Sequence, residues 1–193
     1  NPTFEILEPV AWDRLGLTPD LKEVASDVGA IVYGTLASRN EATGRTIYAA
    51  LEHDNVKVID IKMRPPYVQQ EVVGNLVRRA DIVKMNDAEL ITMAAWHGIQ
   101  YGDLEDQLKW FGDTFRKGLV CVTRGKNGAM ILDHGKTLEH PGYKVRTVDT
   151  VGSGDAFLAG FVIRLFEGKN TEDALKYACA LGSLCAHQTG RHA

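Results

Sequence analysis

The chain is short of the features that mark extracellular, membrane-spanning or metal-built proteins. Its three cysteines, Cys121, Cys179 and Cys185, are odd in number and none has CxxC spacing. A disulfide framework is therefore not expected, and buried free thiols in a reducing compartment are. The six histidines are scattered without HExxH or Cys/His zinc spacing, which argues against a structural metal site. No apolar run is long enough to span a bilayer and no signal-peptide pattern opens the chain, so the expected location is the cytoplasm. Excess charge of either sign is also missing. A net charge of −3 gives no general field for nucleic acid or an anionic membrane. Any phosphate must then be held by local geometry. There is no GxxxxGK[ST] loop and no early GxGxxG, which removes a P-loop NTPase and a dinucleotide-dependent dehydrogenase. The chain opens Asn-Pro-Thr-Phe without an initiator methionine and enters at once what reads as mid-domain, so a missing N-terminal portion is expected.

What is present reads as a globular protein. Hydrophobic residues make up 45% and charged residues 24%, a balance that can bury a core and argues against disorder. Without repeats, low-complexity tracts or a long linker, residues 1–193 are expected to form one domain. Strand and helix patterns alternate. Ala30 to Tyr33, Val56 to Asp60, Ile82-Val83 and Leu119 to Val122 are short apolar runs. Between them, residues 40–54, 67–80, 87–97 and 104–117 carry helical periodicity, with Gly118 as the expected C-cap of the last. From Gly128 to Val148 the pattern turns to tightly connected strands. Two helices close the chain, Asp155 to Glu167 and Thr171 to about Gln188, with Thr171 expected as N-cap. Alternating β and α units imply an α/β fold with a mostly parallel sheet, helices on both faces and an antiparallel edge. Ligands in such a fold bind beyond the carboxyl ends of the strands.

The most informative segment is Asp149-Thr-Val-Gly152-Ser153-Gly154-Asp155-Ala-Phe-Leu-Ala-Gly-Phe161. Two glycines flank a serine directly before an apolar helix. Such a turn can aim several backbone N–H groups at one point, at the positive end of the helix dipole, and so make an anion hole. Asp155 in the first turn would hold a carboxylate beside it. Next to bound phosphate an acid makes poor sense as a binding group and better sense as a base. Taken alone, the same residues also fit a glycine-rich turn with an ordinary acid at a helix start.

The longer string resembles the C-terminal signature of the ribokinase-like (PfkB) carbohydrate kinases, Asp-Thr-x-Gly-Ala/Ser-Gly-Asp before a helix. The resemblance implies Asp155 as catalytic base and Gly152, Ser153 and Gly154 as the anion hole. Asn86-Asp-Ala-Glu89 is similar to the family's Asn-x-x-Glu motif, which implies Mg²⁺ held by Asn86 and Glu89 through water; taken alone, such a string at a helix start is more often a cap. Thr123-Arg-Gly125-Lys-Asn-Gly128 resembles the loop that lines the nucleotide, implying Thr123, Gly125 and Gly128 at bound ATP. The final helix, with Cys179 and Gly182, resembles the stretch beside the adenine. Asp149 and Val151, with residues 186–190, resemble the backbone that holds a monovalent cation such as K⁺. Asp60-Ile-Lys62-Met-Arg64-Pro-Pro is similar to the Asp-x-Asn-x-Arg segment of fructokinase-like members, which implies Arg64 as a phosphate clamp, with Lys62 departing from the pattern. Gly34 to Asn40 and Pro9 to Asp13 also resemble that subgroup.

The resemblance thus implies a ribokinase-like fold, ATP and Mg²⁺ as cofactors, and phosphoryl transfer to a small-molecule sugar, with fructose favoured. A nucleoside, 2-keto-3-deoxygluconate or a sugar phosphate are the alternative acceptors, and a catalytically silent nucleotide-binding module is the rival of another class. The Gly-Gly motif, most sugar contacts and the β-sheet lid of the family are not recognisable in the chain, and a homodimer through such a lid is the implied assembly.

Overall fold

The computed structural model describes residues 6–100 and 102–187. The chain divides into two compact units, residues 1–81 and residues 82–193.

In the first unit, helix α1 (Pro19–Asp27) lies outside the segments of helical periodicity, although its start signals are local. Thr18 accepts the Leu21 N–H at 3.2 Å as N-cap, and Pro19 opens the helix with a φ already set. Strand β1 (Ala30–Gly34) leads through a 3₁₀ turn (Leu36–Arg39) to α2 (Glu41–Ala50), where Asn40 caps by accepting the Ala42 N–H. Strand β2 (Val56–Asp60) runs parallel to β1 in the register Ala30↔Val56 to Gly34↔Asp60. Helix α3 (Gln70–Arg79) buries Val73, Leu76 and Val77 and exposes Glu71, Asn75 and Arg78, the 3.6-residue alternation that its sequence carries. The Tyr33 hydroxyl crosses to the Leu76 carbonyl at 2.9 Å, and burial pushes its ionisation up. Val58, Ile59 and Ile61 are fully buried, each contributing about 1.5–3 kcal/mol of transfer free energy.

In the second unit, strands β3 (Ile82–Asn86) and β4 (Leu119–Thr123) are parallel. Strand β5 (Ala129–Asp133) pairs antiparallel with β4, and β6 (Lys136–His140) antiparallel with β5. The predicted switch to an antiparallel edge after the fourth strand is thus found. Four helices accompany them: α4 (Asp87–Trp96), α5 (Leu104–Phe115), α6 (Ser153–Phe166) and α7 (Thr171–His187). Fully buried Val120, Cys121 and Val122 explain why β4 reads as an unbroken apolar run.

Two cap assignments change. Helix α5 ends at Phe115, and the left-handed residue at its C-cap is Arg116 (φ 52°), not Gly118. Gly118 serves instead to admit the His134 ring, which a Cβ there would meet at 2.9 Å. At α7 the capping side chain is Asn170, whose Oδ1 accepts the Asp173 N–H at 2.8 Å; Thr171 is the first helical residue. Among the described residues, no helix is long and apolar enough to cross a membrane.

Candidate active site

The glycine-rich signature opens α6. Gly152 is the N-cap in the left-handed region (φ 85°, ψ −13°), a conformation glycine adopts without the Cβ penalty. The approach to it is fixed by short-range bonds. Val151 N–H donates to Asp149 Oδ1 at 2.9 Å, Ser153 N–H to the Thr150 carbonyl at 3.2 Å, and Ala156 N–H to the Gly152 carbonyl at 2.8 Å. The Ser153 amide is thereby spent within the turn, and the Ala156 amide makes the bond back to Gly152 that opens the helix. The Asp155 side chain is exposed in that same first turn. The N-terminus of α6 and a carboxylate in its first turn thus lie side by side.

Helix α7 holds this turn from behind. A Cβ on Gly182 would lie 3.2 Å from the Ser153 carbonyl and 3.5 Å from Phe157 Cβ, so α7 approaches the start of α6 without a side chain between them. Near its C-terminal end, the Ala186 carbonyl accepts the Val148 N–H at 2.8 Å and the Asp149 N–H at 3.3 Å. Cys185 Sγ lies 3.8 Å from the Val151 carbonyl. Asp149 and Val151, the expected cation-binding backbone, are thus docked on α7; residues 188–190 of that expected loop lie outside the described residues.

Cys179 lies one helical turn before Gly182, on the same face of α7, and is buried. Burial pushes its thiol up to about 11, while the Arg124 cation pulls the other way. Arg124 belongs to the loop after β4. The loop runs Arg124 N–H to Gly128 carbonyl (2.7 Å), Asn127 N–H to Arg124 carbonyl (3.0 Å) and Gly128 N–H to Gly125 carbonyl (3.1 Å). The Arg124 guanidinium closes it from outside, donating to the Asn127 carbonyl at 2.9 Å and pairing with Glu139 at 2.7 Å.

The Asn86 and Thr123 motifs, 37 residues apart in sequence, meet in space. They are register partners at the carboxyl ends of β3 and β4, and Thr123 Oγ1 donates to the Met85 carbonyl at 3.4 Å. Asn86 and Glu89 form a reciprocal capping box: Asn86 Oδ1 accepts the Glu89 N–H and Glu89 Oε2 accepts the Asn86 N–H, both at 2.8 Å. The cap reading of this motif is therefore correct. It also fixes the buried Glu89 carboxylate at the strand end. No group of three or more His, Cys, Asp or Glu residues among the described residues could cage a metal directly. A hydrated Mg²⁺, which keeps several waters and leans on one or two carboxylates and on phosphates, asks for less and fits this donor set.

Arg64 belongs to the first unit. It is exposed on the loop after β2, and its Nη1 donates to the Met63 carbonyl at 3.2 Å. Lys62, at the position where the pattern has Asn, pairs with Asp60 at 2.9 Å. A small pocket beside this loop is lined by Thr35, Ser38, Arg39, Lys62, Met63 and Tyr67 among others. Thr35 and Arg39 carried no role in the sequence reading. Their partners lie about 30 residues away, so no spacing could have found them.

The profile described as pfkB family carbohydrate kinase matches residues 19–193. The ATP-dependent ribose-1-phosphate kinase of Halopiger xanaduensis is 36% identical over 117 residues, 61% of this chain and 36% of that protein. The 2-dehydro-3-deoxygalactonokinase of Haloferax volcanii is 27% identical over 181 residues, 92% of this chain and 51% of that one. Among solved structures, the fructokinase of Vibrio cholerae O395, with fructose, ADP and calcium ion bound, superposes with a TM-score of 0.70 at 26% identity. It covers 83% of this chain and 55% of the fructokinase. The chain therefore spans about half the length of the relatives it matches, or less. The ribokinase-like α/β fold expected from the signature is the fold it has.

Proposed function

The chain belongs to the pfkB family of carbohydrate kinases, and from that premise we propose that it supplies the nucleotide-binding and catalytic part of an ATP-dependent kinase acting on a sugar hydroxyl. The observation that carries the proposal is the start of α6, where a left-handed Gly152 turns the chain so that helix-opening amides and the Asp155 carboxylate share one turn.

In this reading Asp155 accepts the proton of the acceptor hydroxyl as its oxygen attacks the terminal phosphorus of ATP, and the bond from that phosphorus to the bridging oxygen breaks with ADP as the leaving group. The remaining amides of the Gly152–Asp155 turn stabilise the charge on the transferring group, and Arg64 adds a cation on phosphate. Thr123, Gly125 and Gly128 line the nucleotide, with Cys179 and Gly182 on α7 behind them. Bound Mg²⁺ would neutralise phosphate charge, with Asn86 and Glu89 holding its water shell. A monovalent cation at the backbone of Asp149 and Val151 would fix the turn that feeds α6.

Fructose is the proposed acceptor, supported by the fructokinase-like Asp60…Arg64-Pro-Pro segment and by the likeness to the Vibrio fructokinase. A second reading, an anionic acceptor, is favoured by Lys62 where that segment has Asn, and by relatives named for ribose 1-phosphate and 2-dehydro-3-deoxygalactonate. Phosphoryl transfer from [γ-³²P]ATP to fructose, ribose 1-phosphate, 2-dehydro-3-deoxygalactonate and adenosine separates the two. In the Asp155→Asn variant, kcat should fall by about 10²–10⁴ with ATP affinity nearly intact. Near-normal turnover in that variant would remove Asp155 as base, and ATP binding without transfer to any acceptor would point to a silent module.

A further inference from the structure

Arg64 is exposed and followed by Pro65 and Pro66, on a stretch with no regular hydrogen-bond ladder, yet a phosphate clamp needs its guanidinium held in place. What holds the stretch comes from one short turn of the first unit. Thr35, 6% exposed at the head of the 3₁₀ turn, uses a single hydroxyl twice. Its Oγ1 accepts the Lys62 N–H at 3.0 Å and donates to the Lys62 carbonyl at 3.0 Å. Lys62 is thereby paired on both sides of its backbone, as it would be in a sheet, two residues before Arg64.

At the other end of the same turn, Arg39 lies over the Tyr67 ring, its Cζ 4.3 Å from the ring centroid. Tyr67 N–H donates to the Arg64 carbonyl at 2.9 Å, and the Tyr67 hydroxyl to the Ile6 carbonyl at 3.2 Å. Arg39 itself cannot swing. Its Nε and Nη2 form a two-pronged pair with Asp13 at 2.8 and 2.7 Å, with side chains only 2% and 1% exposed, and Nη2 also donates to the Leu7 carbonyl at 2.8 Å. Two points four residues apart, Thr35 and Arg39, thus grip the loop on either side of Arg64.

We infer that Thr35 and Arg39 are positioning residues that hold the Lys62–Tyr67 loop so that Arg64 meets the terminal phosphate of ATP. The inference rests on the reading of Arg64 as a phosphate clamp. A purely structural role for Thr35 and Arg39 would alter stability alike whether or not Arg64 is present. A positioning role predicts an effect on nucleotide selectivity that disappears when Arg64 is removed.

The test is the preference for ATP over ADP, measured as the ratio of dissociation constants with Mg²⁺ present, which needs no acceptor. Thr35→Val keeps the shape and removes the hydroxyl. Tyr67→Leu removes the stacking surface while leaving the buried Asp13–Arg39 pair intact, and it serves as the second variant should either fold poorly. Arg64→Ala should lower the preference about 10- to 100-fold, the range for hydrogen bonds to a charged group. Thr35→Val and Tyr67→Leu should each lower it about five- to tenfold by misplacing the clamp, and by less than about twofold when Arg64 is already alanine. Hydrogen exchange of residues 62–67 should quicken in both variants. Equal losses in the two backgrounds, or an unchanged preference in a folded Thr35→Val protein, would overturn the inference while leaving the kinase reading standing. An unchanged preference in Arg64→Ala would instead remove the clamp itself, and no binding of ATP at all would sink the proposed function.

Discussion

The loop after β2 and the loop after β4 are held in place by opposite means. Each leaves the carboxyl end of a parallel strand and carries residues that are proposed to meet the nucleotide. The β2 loop is held by side chains reaching in from elsewhere: a buried hydroxyl, a stacked guanidinium and the carboxylate that orients it. The β4 loop is held mostly by its own backbone, three N–H to carbonyl bonds within residues 124–128, and by glycine conformation. The first device depends on charge and tolerates many backbones. The second is indifferent to ionisation at its centre and intolerant of a single added carbon at Gly128.

The sharpest way to break this contrast is Gly128→Ala. Gly128 has φ 78° and ψ −133°, and a Cβ there would lie 2.0 Å from the His140 carbonyl oxygen and 2.3 Å from the Gly142 nitrogen. Both obstacles are backbone. We expect a loss of about 3 kcal/mol or more in chemical denaturation, from conformational strain and the clash together. Thermal or urea unfolding of this variant within about 1 kcal/mol of the parent would show that the loop is not held as described.

Acid should strike the other loop. The hydrogen bond from Arg39 holds the Asp13 carboxyl down at about 2, below the ordinary carboxylate range. A depressed folded-state value means stability that is fully present above about pH 4, where the unfolded carboxyl is already ionised, and lost as pH falls toward about 2. Arg39 stays charged throughout, so protonation of Asp13 is the event that loosens it. The fluorescence of Trp12, whose ring also lies near the Arg39 guanidinium (5.9 Å), should report a transition in that window. Asp13→Asn should remove the transition by losing the pair at all pH values.

Two smaller effects complete the series. Gly125→Ala should cost only about 1–2 kcal/mol, because φ 56° is a left-handed conformation but nothing lies within 4 Å of the added carbon. The difference between Gly125 and Gly128 then isolates the clash from the strain. Arg124→Ala should cost about 1 kcal/mol or less, since Glu139 is well exposed and the backbone bonds of the loop remain. A large loss there would mean that the β4 loop, too, relies on a side chain. Thermal melts of the two variants measure both.

The same division between local and distant causes runs through the sequence reading. Helix α3 was legible because Val73, Leu76 and Val77 repeat at helical spacing on a buried face, and β4 because a strand covered on both sides needs no alternation. The glycine signature was legible because Gly152, Gly154 and Asp155 act within one turn of each other. The caps are less local: Gly118 reads as a helix stop by composition, yet the left-handed residue is Arg116, and what a Cβ at Gly118 would meet is the exposed His134 ring from another segment. Helix α1 was overlooked although Thr18-Pro19 carries its start.

The sequence by itself determined the order of elements, the turn that opens α6 and the motifs from which the family is read, because periodicity, glycine conformation and capping act over a few residues. The tertiary structure alone decided that Asn86 and Thr123 stand side by side across β3 and β4. It alone decided that Gly182 admits the start of α6, and that Asp13, Arg39, Thr35 and Tyr67 converge on the stretch that bears Arg64. Those contacts depend on burial and register between segments tens of residues apart, and no local spacing encodes which charge will be buried against which ring.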